Sequence, residues 1–177
     1  LNMLIVEVSS FAASSVLKSS RTMAPDFPPS SNVQRAMRSP QTLAMRSGHQ
    51  SLEPDHLLKV MLDDEDALVS KLIHASDGNV DRLKKDVDVS LSKLPIVQGS
   101  GAGQLRLSTD LAKLLDNALN LSEKAGDKFV TAERILQAMS VSRATTVSEC
   151  MQDAGIAPTS LNEAINNMRK GRTADSA

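Results

Sequence analysis

Aromatic side chains and cysteine are nearly absent from this chain. Its 177 residues include no Trp, no Tyr, three Phe and one Cys. The single Cys150 excludes an intrachain disulfide and favours a reducing compartment. The hydrophobic residues make up 41% of the chain and are mainly Leu, Val, Ile, Ala and Met, a mixture that favours helices over strands. One all-helical domain with a sizeable core is therefore expected.

The chain also lacks an excess of charge and a long apolar run. Twenty basic residues stand against twenty-one acidic ones, which gives a net charge of −1. Nucleic acid is not expected as a partner, because no basic excess follows a phosphate backbone and no aromatic side chains stack on bases. No apolar run approaches the ~18 residues that a membrane span needs, so no membrane partner is expected either.

What the chain does contain is a duplication. Residues 30–91 match residues 108–169 without a gap, at a constant offset of 78 positions. A unit this short is not expected to bury its apolar face alone, so the two copies are expected to pack around one core. The predicted organisation is a leader at 1–29, copy one at 30–91, a linker at 92–107, copy two at 108–170 and a tail at 171–177.

Helix signals recur at matching places in the two copies. In copy two, residues 111, 114, 115, 118, 122 and 125 have the spacing of an amphipathic helix, which is predicted to end near Gly126. The sequences Glu53-Pro54-Asp55 and Thr131-Ala132-Glu133 each place a cap and a carboxylate at the start of a second helix. The third helices are predicted at 66–75 and 144–154, and the fourth from Asn79 and Ala157. Four helices per copy, eight in all, are predicted.

Residues 1–29 lie outside the duplication. They are rich in Ser and poor in acidic residues, and they carry Lys18 and Arg21, a composition typical of mitochondrial transit segments. The alternatives are a disordered extension and a mis-assigned upstream region. Pro28 and Pro29 help to separate this leader from the domain. The protein is expected in the cytoplasm, or in the mitochondrial matrix if the leader is a transit segment.

Several motifs, in order along the chain, carry a resemblance to a known family. They are Ala44-Met45-Arg46-Ser47-Gly48-His49-Gln50, Glu53-Pro54-Asp55-His56-Leu57-Leu58, Lys93-Leu94-Pro95-Ile96-Val97, Ala125-Gly126-Asp127-Lys128-Phe129-Val130 and Ala164-Ile165-Asn166-Asn167-Met168-Arg169-Lys170-Gly171. Through them, residues 30–173 resemble the N-terminal repeat domain of the Clp/Hsp100 chaperones, in particular the ClpB-type disaggregases. The resemblance implies a pseudo-symmetric pair of four-helix repeats, carried as an appendage on a hexameric ATPase ring.

The same resemblance implies a non-catalytic, protein-binding role. The expected partners are misfolded or aggregated proteins, passed on for ATP-dependent disaggregation and refolding. Docking of adaptor proteins is the alternative, and a truncated piece of a disaggregase is a third interpretation. Gly99-Ser100-Gly101-Ala102-Gly103 lacks the lysine of a phosphate loop. This chain alone is therefore expected to bind no cofactor, and ATP would be used only by ATPase modules outside it.

The resemblance also implies site residues on the domain. Ser30, Asp127 and Glu133 correspond to polar surface residues with which ClpB-type domains handle aggregates, and Leu121 corresponds to part of an apolar groove. Structural roles are the alternative. Ser30 could cap a helix, Asp127 could serve the turn after Gly126, and Glu133 could offset the helix dipole.

Four positions depart from the family pattern. Asn117 and Arg134 stand where leucine is common, which weakens the expected groove. Pro40 falls inside the first helix, where a proline costs about 3 kcal/mol, so a kink or a late start is predicted. Ala36 removes a large apolar contact. Copy one is therefore expected to be the weaker half, and function is expected on copy two.

Other reactive constellations are not predicted. His49, His56 and His74 lack the spacing of a metal site, and Cys150 is expected on a helix face rather than beside a histidine. The acidic run at 63–66 lacks the glycine and the terminal glutamate of a calcium loop. Neither a catalytic residue nor a metal site is expected.

Overall fold

The computed structural model describes residues 6–7, 31–64, 67–97, 105–143 and 145–170, with the backbone alone for 6–7 and 31–36. These ranges contain eight helices, which confirms the all-helical, eight-helix prediction. The helices are α1 (Ser31–Arg46), α2 (Pro54–Leu62), α3 (Leu68–Ala75), α4 (Val80–Ser92), α5 (Thr109–Lys124), α6 (Ala132–Val141), α7 (Thr146–Asp153) and α8 (Pro158–Arg169).

Four two-residue strands, which the composition did not predict, accompany the helices. They are β1 (Val6–Glu7), β2 (Ser51–Leu52), β3 (Arg106–Leu107) and β4 (Phe129–Val130). β2 pairs in parallel with β3, and β1 pairs antiparallel with β4. A segment of the predicted leader and a segment of the predicted linker therefore both contact the helical body through their backbones.

Several helices begin where a polar side chain accepts a free N–H group or where a proline leaves no N–H to satisfy. Ser108 Oγ accepts the N–H of Leu111 at 3.0 Å, and Asn79 Oδ1 accepts that of Arg82 at 2.9 Å. Pro54 and Pro158 open α2 and α8, at the position where a missing N–H costs nothing. These starts agree with the sequence signals.

One continuous apolar core lies between the helices. The predicted inward faces of α2 and α6 are fully buried or nearly so; they comprise Leu57, Leu58, Met61, Ile135, Leu136 and Met139. The N–H of Asn79, before α4, donates to the carbonyl of Ala154, after α7, at 2.9 Å. The first four helices and the last four thus share a core, while the pseudo-symmetry of the two copies stays a prediction.

The first helix does not start late. α1 begins at Ser31 and continues through Pro40, so of the two predicted consequences of this proline the late start is wrong and the kink stays a prediction. Met37, Pro40 and Ala44 are all buried and follow the i, i+3, i+7 spacing of one face, so their packing outweighs the local cost of the proline. The side chain of Ala36 lies outside the described residues.

A buried histidine pair fixes the start of α2. His49 Nδ1 lies 2.8 Å from His56 Nε2, and His56 Nδ1 accepts the N–H of Glu53 at 3.0 Å. Because that N–H is a donor, His56 must carry its proton on Nε2 and donate it to His49. Burial lowers the pKa of both histidines, and repulsion by His49 lowers the pKa of His56 further.

Stability should fall in mild acid because of this pair. The folded state binds protons at these histidines less readily than the unfolded state, whose histidines titrate near ~6.5. Glu53 and Asp55 oppose this shift at His56 without cancelling it. We expect the free energy of unfolding, measured in urea, to be level above pH ~6.5 and to decrease as the pH falls towards 5.

Substitution of both buried histidines provides the control for this pH effect. The His49→Gln/His56→Gln variant should lose most of the decrease between pH 7 and 5, whereas His74→Gln, at an exposed position, should keep it. The same decrease in all three chains would contradict the assignment.

Replacement of Pro40 tests how much this proline destabilises α1. Pro40→Ala restores a backbone donor and should raise the free energy of unfolding by about 1–3 kcal/mol, after the loss of some buried ring contact. Ser39→Ala, at the exposed neighbouring position, should change it by less than about 0.5 kcal/mol. Equal values for the two variants would show that Pro40 imposes no strain.

Candidate functional site

The loop between α5 and α6 brings two of the predicted site residues together. Gly126, with φ of 72°, turns the chain out of α5 in a conformation that glycine adopts without strain. The N–H of Asp127 then donates to the carbonyl of Ser122 at 2.9 Å. β4 follows and leads through the cap residue Thr131 into the first turn of α6, which carries Glu133.

The carboxylate of Asp127 is fully enclosed and is held by two arginines. Its side chain is 0% exposed. Arg134 Nε donates to Oδ2 at 2.8 Å, and Arg169 Nη1 lies 2.6 and 2.7 Å from the two oxygens. A buried carboxylate is tolerated only when it is paired and hydrogen-bonded. Asp127 therefore ties its turn to the start of α6 and to the end of α8.

Glu133 is held much less firmly than Asp127. Its Oε1 lies 3.5 Å from Arg169 Nε, whereas Arg169 Nη2 donates to Thr131 Oγ1 at 2.8 Å. Glu133 Oε2 is buried and has no hydrogen-bond partner within the described ranges. An unpaired acceptor of this kind gains from any N–H or ammonium donor that reaches it.

A chain of side-chain amides extends the cluster along α6 and α8. Arg134 Nη1 donates to Gln137 Oε1 at 3.0 Å, and Gln137 Nε2 donates to Asn162 Oδ1 at 2.8 Å. Together with the Asp127 pairing, these bonds connect the first half of α6 to α8. They hold the helix turn that carries Glu133 against α8.

The predicted surface position of Asp127 is wrong. Its carboxylate is buried because it neutralises Arg134 and Arg169, and its backbone serves the turn after Gly126, as the structural alternative proposed. Glu133 lies beside it in the first turn of α6, also as that alternative proposed. A contact between either residue and a client protein stays a prediction.

Leu121, the residue predicted for an apolar groove, is half-buried and packs against the core, and Asn117 is exposed. Arg134 is buried and donates to Asp127. The groove and its weakening by Asn117 and Arg134 stay predictions. Ser30 lies outside the described residues.

The sequence analysis missed Arg169 and Thr131 as members of the cluster. A signal was present, because Arg134 and Arg169 stand four residues from the buried Ala138 and Ile165, and therefore on apolar helix faces. A basic residue on such a face indicates a buried acidic partner. Its identity could not be read from the sequence, since Asp127 and Arg169 are 42 positions apart.

Other polar groups offer little reactive chemistry. Burial raises the pKa of the Cys150 thiol to about 11, so the thiol stays protonated at neutral pH and is a poor nucleophile or metal ligand. In the part of the chain that the structure describes, no group of three His, Cys, Asp or Glu is placed to hold a metal ion. None of the helices there is long and apolar enough to cross a membrane.

The two carboxylates should differ sharply in their effect on stability. Asp127→Asn removes the carboxylate that pairs with the buried Arg134 and the half-buried Arg169 and should lower the free energy of unfolding by about 3–5 kcal/mol. Glu133→Gln removes only a long ion pair and should change it by less than about 1 kcal/mol. Urea denaturation at neutral pH measures both values.

Asp116→Asn is the matched control, because Asp116 is exposed on α5; it should behave like the wild-type chain. If Asp127→Asn lowers the free energy of unfolding no more than Asp116→Asn does, the buried pairing does not hold the loop.

Comparison with known proteins assigns the chain to a family. Residues 29–154 match the family described as the Clp repeat (R) N-terminal domain. The chain is 46% identical over 145 residues to the chaperone protein ClpB of Rhodopseudomonas palustris, covering 82% of this chain and 16% of that protein. It is 35% identical over 144 residues to ClpB of Rickettsia felis, covering 81% of this chain and 17% of that protein. The chain thus spans about a sixth of the length of these relatives.

Solved structures show the same fold at low sequence identity. The N-terminal domain of Hsp104 from Candida albicans is 18% identical, with a TM-score of 0.70, and the match covers 81% of this chain and 92% of that one. The N-terminal domain of the ClpV1 ATPase from E. coli EAEC is 16% identical, with a TM-score of 0.61 and coverage of 80% and 86%. The chain therefore belongs to the Clp repeat (R) N-terminal domain family and has the fold of a chaperone Clp N-domain.

Proposed function

We propose that this chain is the protein-binding N-domain of a ClpB-type chaperone. In this role it binds misfolded or aggregated proteins, which ATPase modules elsewhere in such a chaperone then disaggregate. The observation that carries the proposal is the similarity to ClpB proteins, which covers 82% of this chain at 46% identity. Within the described residues, Glu133 at the start of α6 has a carboxylate oxygen without a hydrogen-bond partner, and we assign the client contact to this residue.

The chemistry of Glu133 suits an unfolded client. Folded proteins pair nearly all of their backbone N–H groups internally, whereas unfolded segments leave them open to outside acceptors. Because Oε2 is buried, a client N–H or lysine ammonium must first displace the side chains that cover it. The contact would then satisfy an acceptor that is costly to leave unpaired. Recognition of this kind depends on the folded state of the client rather than on its sequence.

Asp127 has a supporting role in the proposed site. Its carboxylate pairs with Arg134 and holds Arg169 by two short contacts, whereas Arg169 Nε lies 3.5 Å from Glu133 Oε1. Without Asp127, the guanidinium groups of Arg134 and Arg169 would be available to pair with Glu133. Glu133 Oε2 would then have a partner inside the domain and would no longer need one from a client. One such contact is weak, and several domains on a hexameric ring would strengthen it by avidity.

The first test is retention on aggregated protein. The wild-type chain should sediment with a heat-aggregated model enzyme. Glu133→Ala should reduce the bound fraction about tenfold or more at a subsaturating concentration, because a hydrogen bond to a charged acceptor contributes about 1.5–3 kcal/mol. Glu149→Ala, at an exposed position on α7, is the matched control and should bind like wild type. Circular dichroism of each variant establishes that it is folded.

Equal retention of Glu133→Ala and Glu149→Ala would remove Glu133 from the site. Absence of retention for every folded chain, wild type included, would overturn the proposed recognition of aggregates and favour adaptor docking.

A further inference from the structure

The short strands before α2 and α6 each recruit a partner from a distant part of the chain. β2 pairs with β3 in the parallel direction, and β4 pairs with β1 antiparallel, in the register Val6 to Val130 and Glu7 to Phe129. The free edge of a strand binds another extended backbone through main-chain hydrogen bonds. β2 has a parallel partner and β4 has an antiparallel one. A strand that precedes a helix in this domain can therefore pair with a segment of either direction.

The sequence explains why β4 does not have a partner like β3. At the offset of 78 positions, Phe129 and Val130 correspond to Ser51 and Leu52. Residues 28 and 29 lie just outside the duplication, and continuing the same offset to them places Pro28 and Pro29 opposite Arg106 and Leu107. In the β2–β3 pair, the N–H of Arg106 donates to the carbonyl of Gln50 at 2.8 Å. Pro28, at the matching position, has no N–H to donate. The segment before α1 therefore cannot reproduce this bond, and a different segment pairs with β4.

The location of β4 connects this edge with the proposed site. β4 lies between the Asp127 turn and the first turn of α6, and Val130 is buried while Phe129 is half-buried. Glu133 stands three residues after Val130. β1 therefore covers an edge of the strand that leads into the turn carrying Glu133.

We propose that β4 is the edge to which this domain adds an extended segment of its client, and that the leader strand Val6–Glu7 occupies this edge in cis as a competitor. The inference rests on the proposed function and specifies its binding mode. A two-residue pairing is weak, so a client present at many sites of an aggregate can displace it. Main-chain pairing also requires no particular client sequence.

The test disrupts the leader strand within the full chain. Val6→Pro/Glu7→Pro removes both N–H groups of β1, and Ser14→Pro/Ser15→Pro, elsewhere in the leader, is the matched control. The amide of Phe129 or Val130 that donates to β1 should exchange with solvent at least about fivefold faster in the first variant than in the control.

Binding measurements then test the competition. A labelled peptide with the sequence of residues 1–10 and permanently unfolded, carboxymethylated lactalbumin serve as probes in fluorescence anisotropy. Both should bind Val6→Pro/Glu7→Pro at least about tenfold more tightly than the control, because a tethered competitor acts at an effective concentration of the order of mM. A scrambled peptide of the same composition should bind more weakly than the leader peptide.

The outcomes separate this inference from the proposed function. Unchanged amide exchange, or equal affinity of the two variants for both probes, would overturn the competition by the leader. Peptide binding that increases while lactalbumin and aggregates fail to bind any variant would overturn client recognition at β4, and with it the proposed function, but leave the cis pairing in place.

Discussion

The pairing of the buried Asp127 carboxylate with Arg134 and Arg169 is the constraint on which the candidate site depends. A charge without solvent must find opposite charge close by, and here the partners come from the start of α6 and the end of α8. Removing one partner of such a cluster leaves an uncompensated buried charge. The pairing therefore fixes the relative positions of the turn after α5, strand β4 and the first turn of α6.

Because of this constraint, Asp127 and Glu133 have different roles, although the sequence predicts the same role for both. Asp127 is inside and fixes the positions of its neighbours. Glu133 is at the start of α6, where the helix dipole favours a negative charge, and one of its oxygens is unpaired. β4, between them, offers backbone groups to a second strand. The proposed client site thus combines a charged acceptor and a strand edge on one rigid loop.

Much of the fold could be predicted from local signals, because caps and apolar spacing act over a few residues. Ser108, Asn79 and Pro158 start helices where the sequence indicated, and Gly126 provides the turn. The late start predicted from Pro40 is wrong, because α1 continues through this residue and buries it together with Met37 and Ala44. The burial of Asp127 and its pairing with Arg169 depend on contacts distant in sequence, which local periodicity does not contain. The pairing of β1 with β4 could not be predicted for the same reason, since the two strands are distant in sequence.

The central claim is that clients bind at β4 and the start of α6, and chemical-shift mapping tests it most directly. The isotopically labelled chain would be titrated with carboxymethylated lactalbumin and the perturbed backbone amides identified. The account predicts that the largest perturbations fall on Phe129, Val130 and Glu133, with release of Val6 and Glu7 from their pairing. Perturbations confined to other surfaces, such as the exposed Val89 of α4, would contradict it.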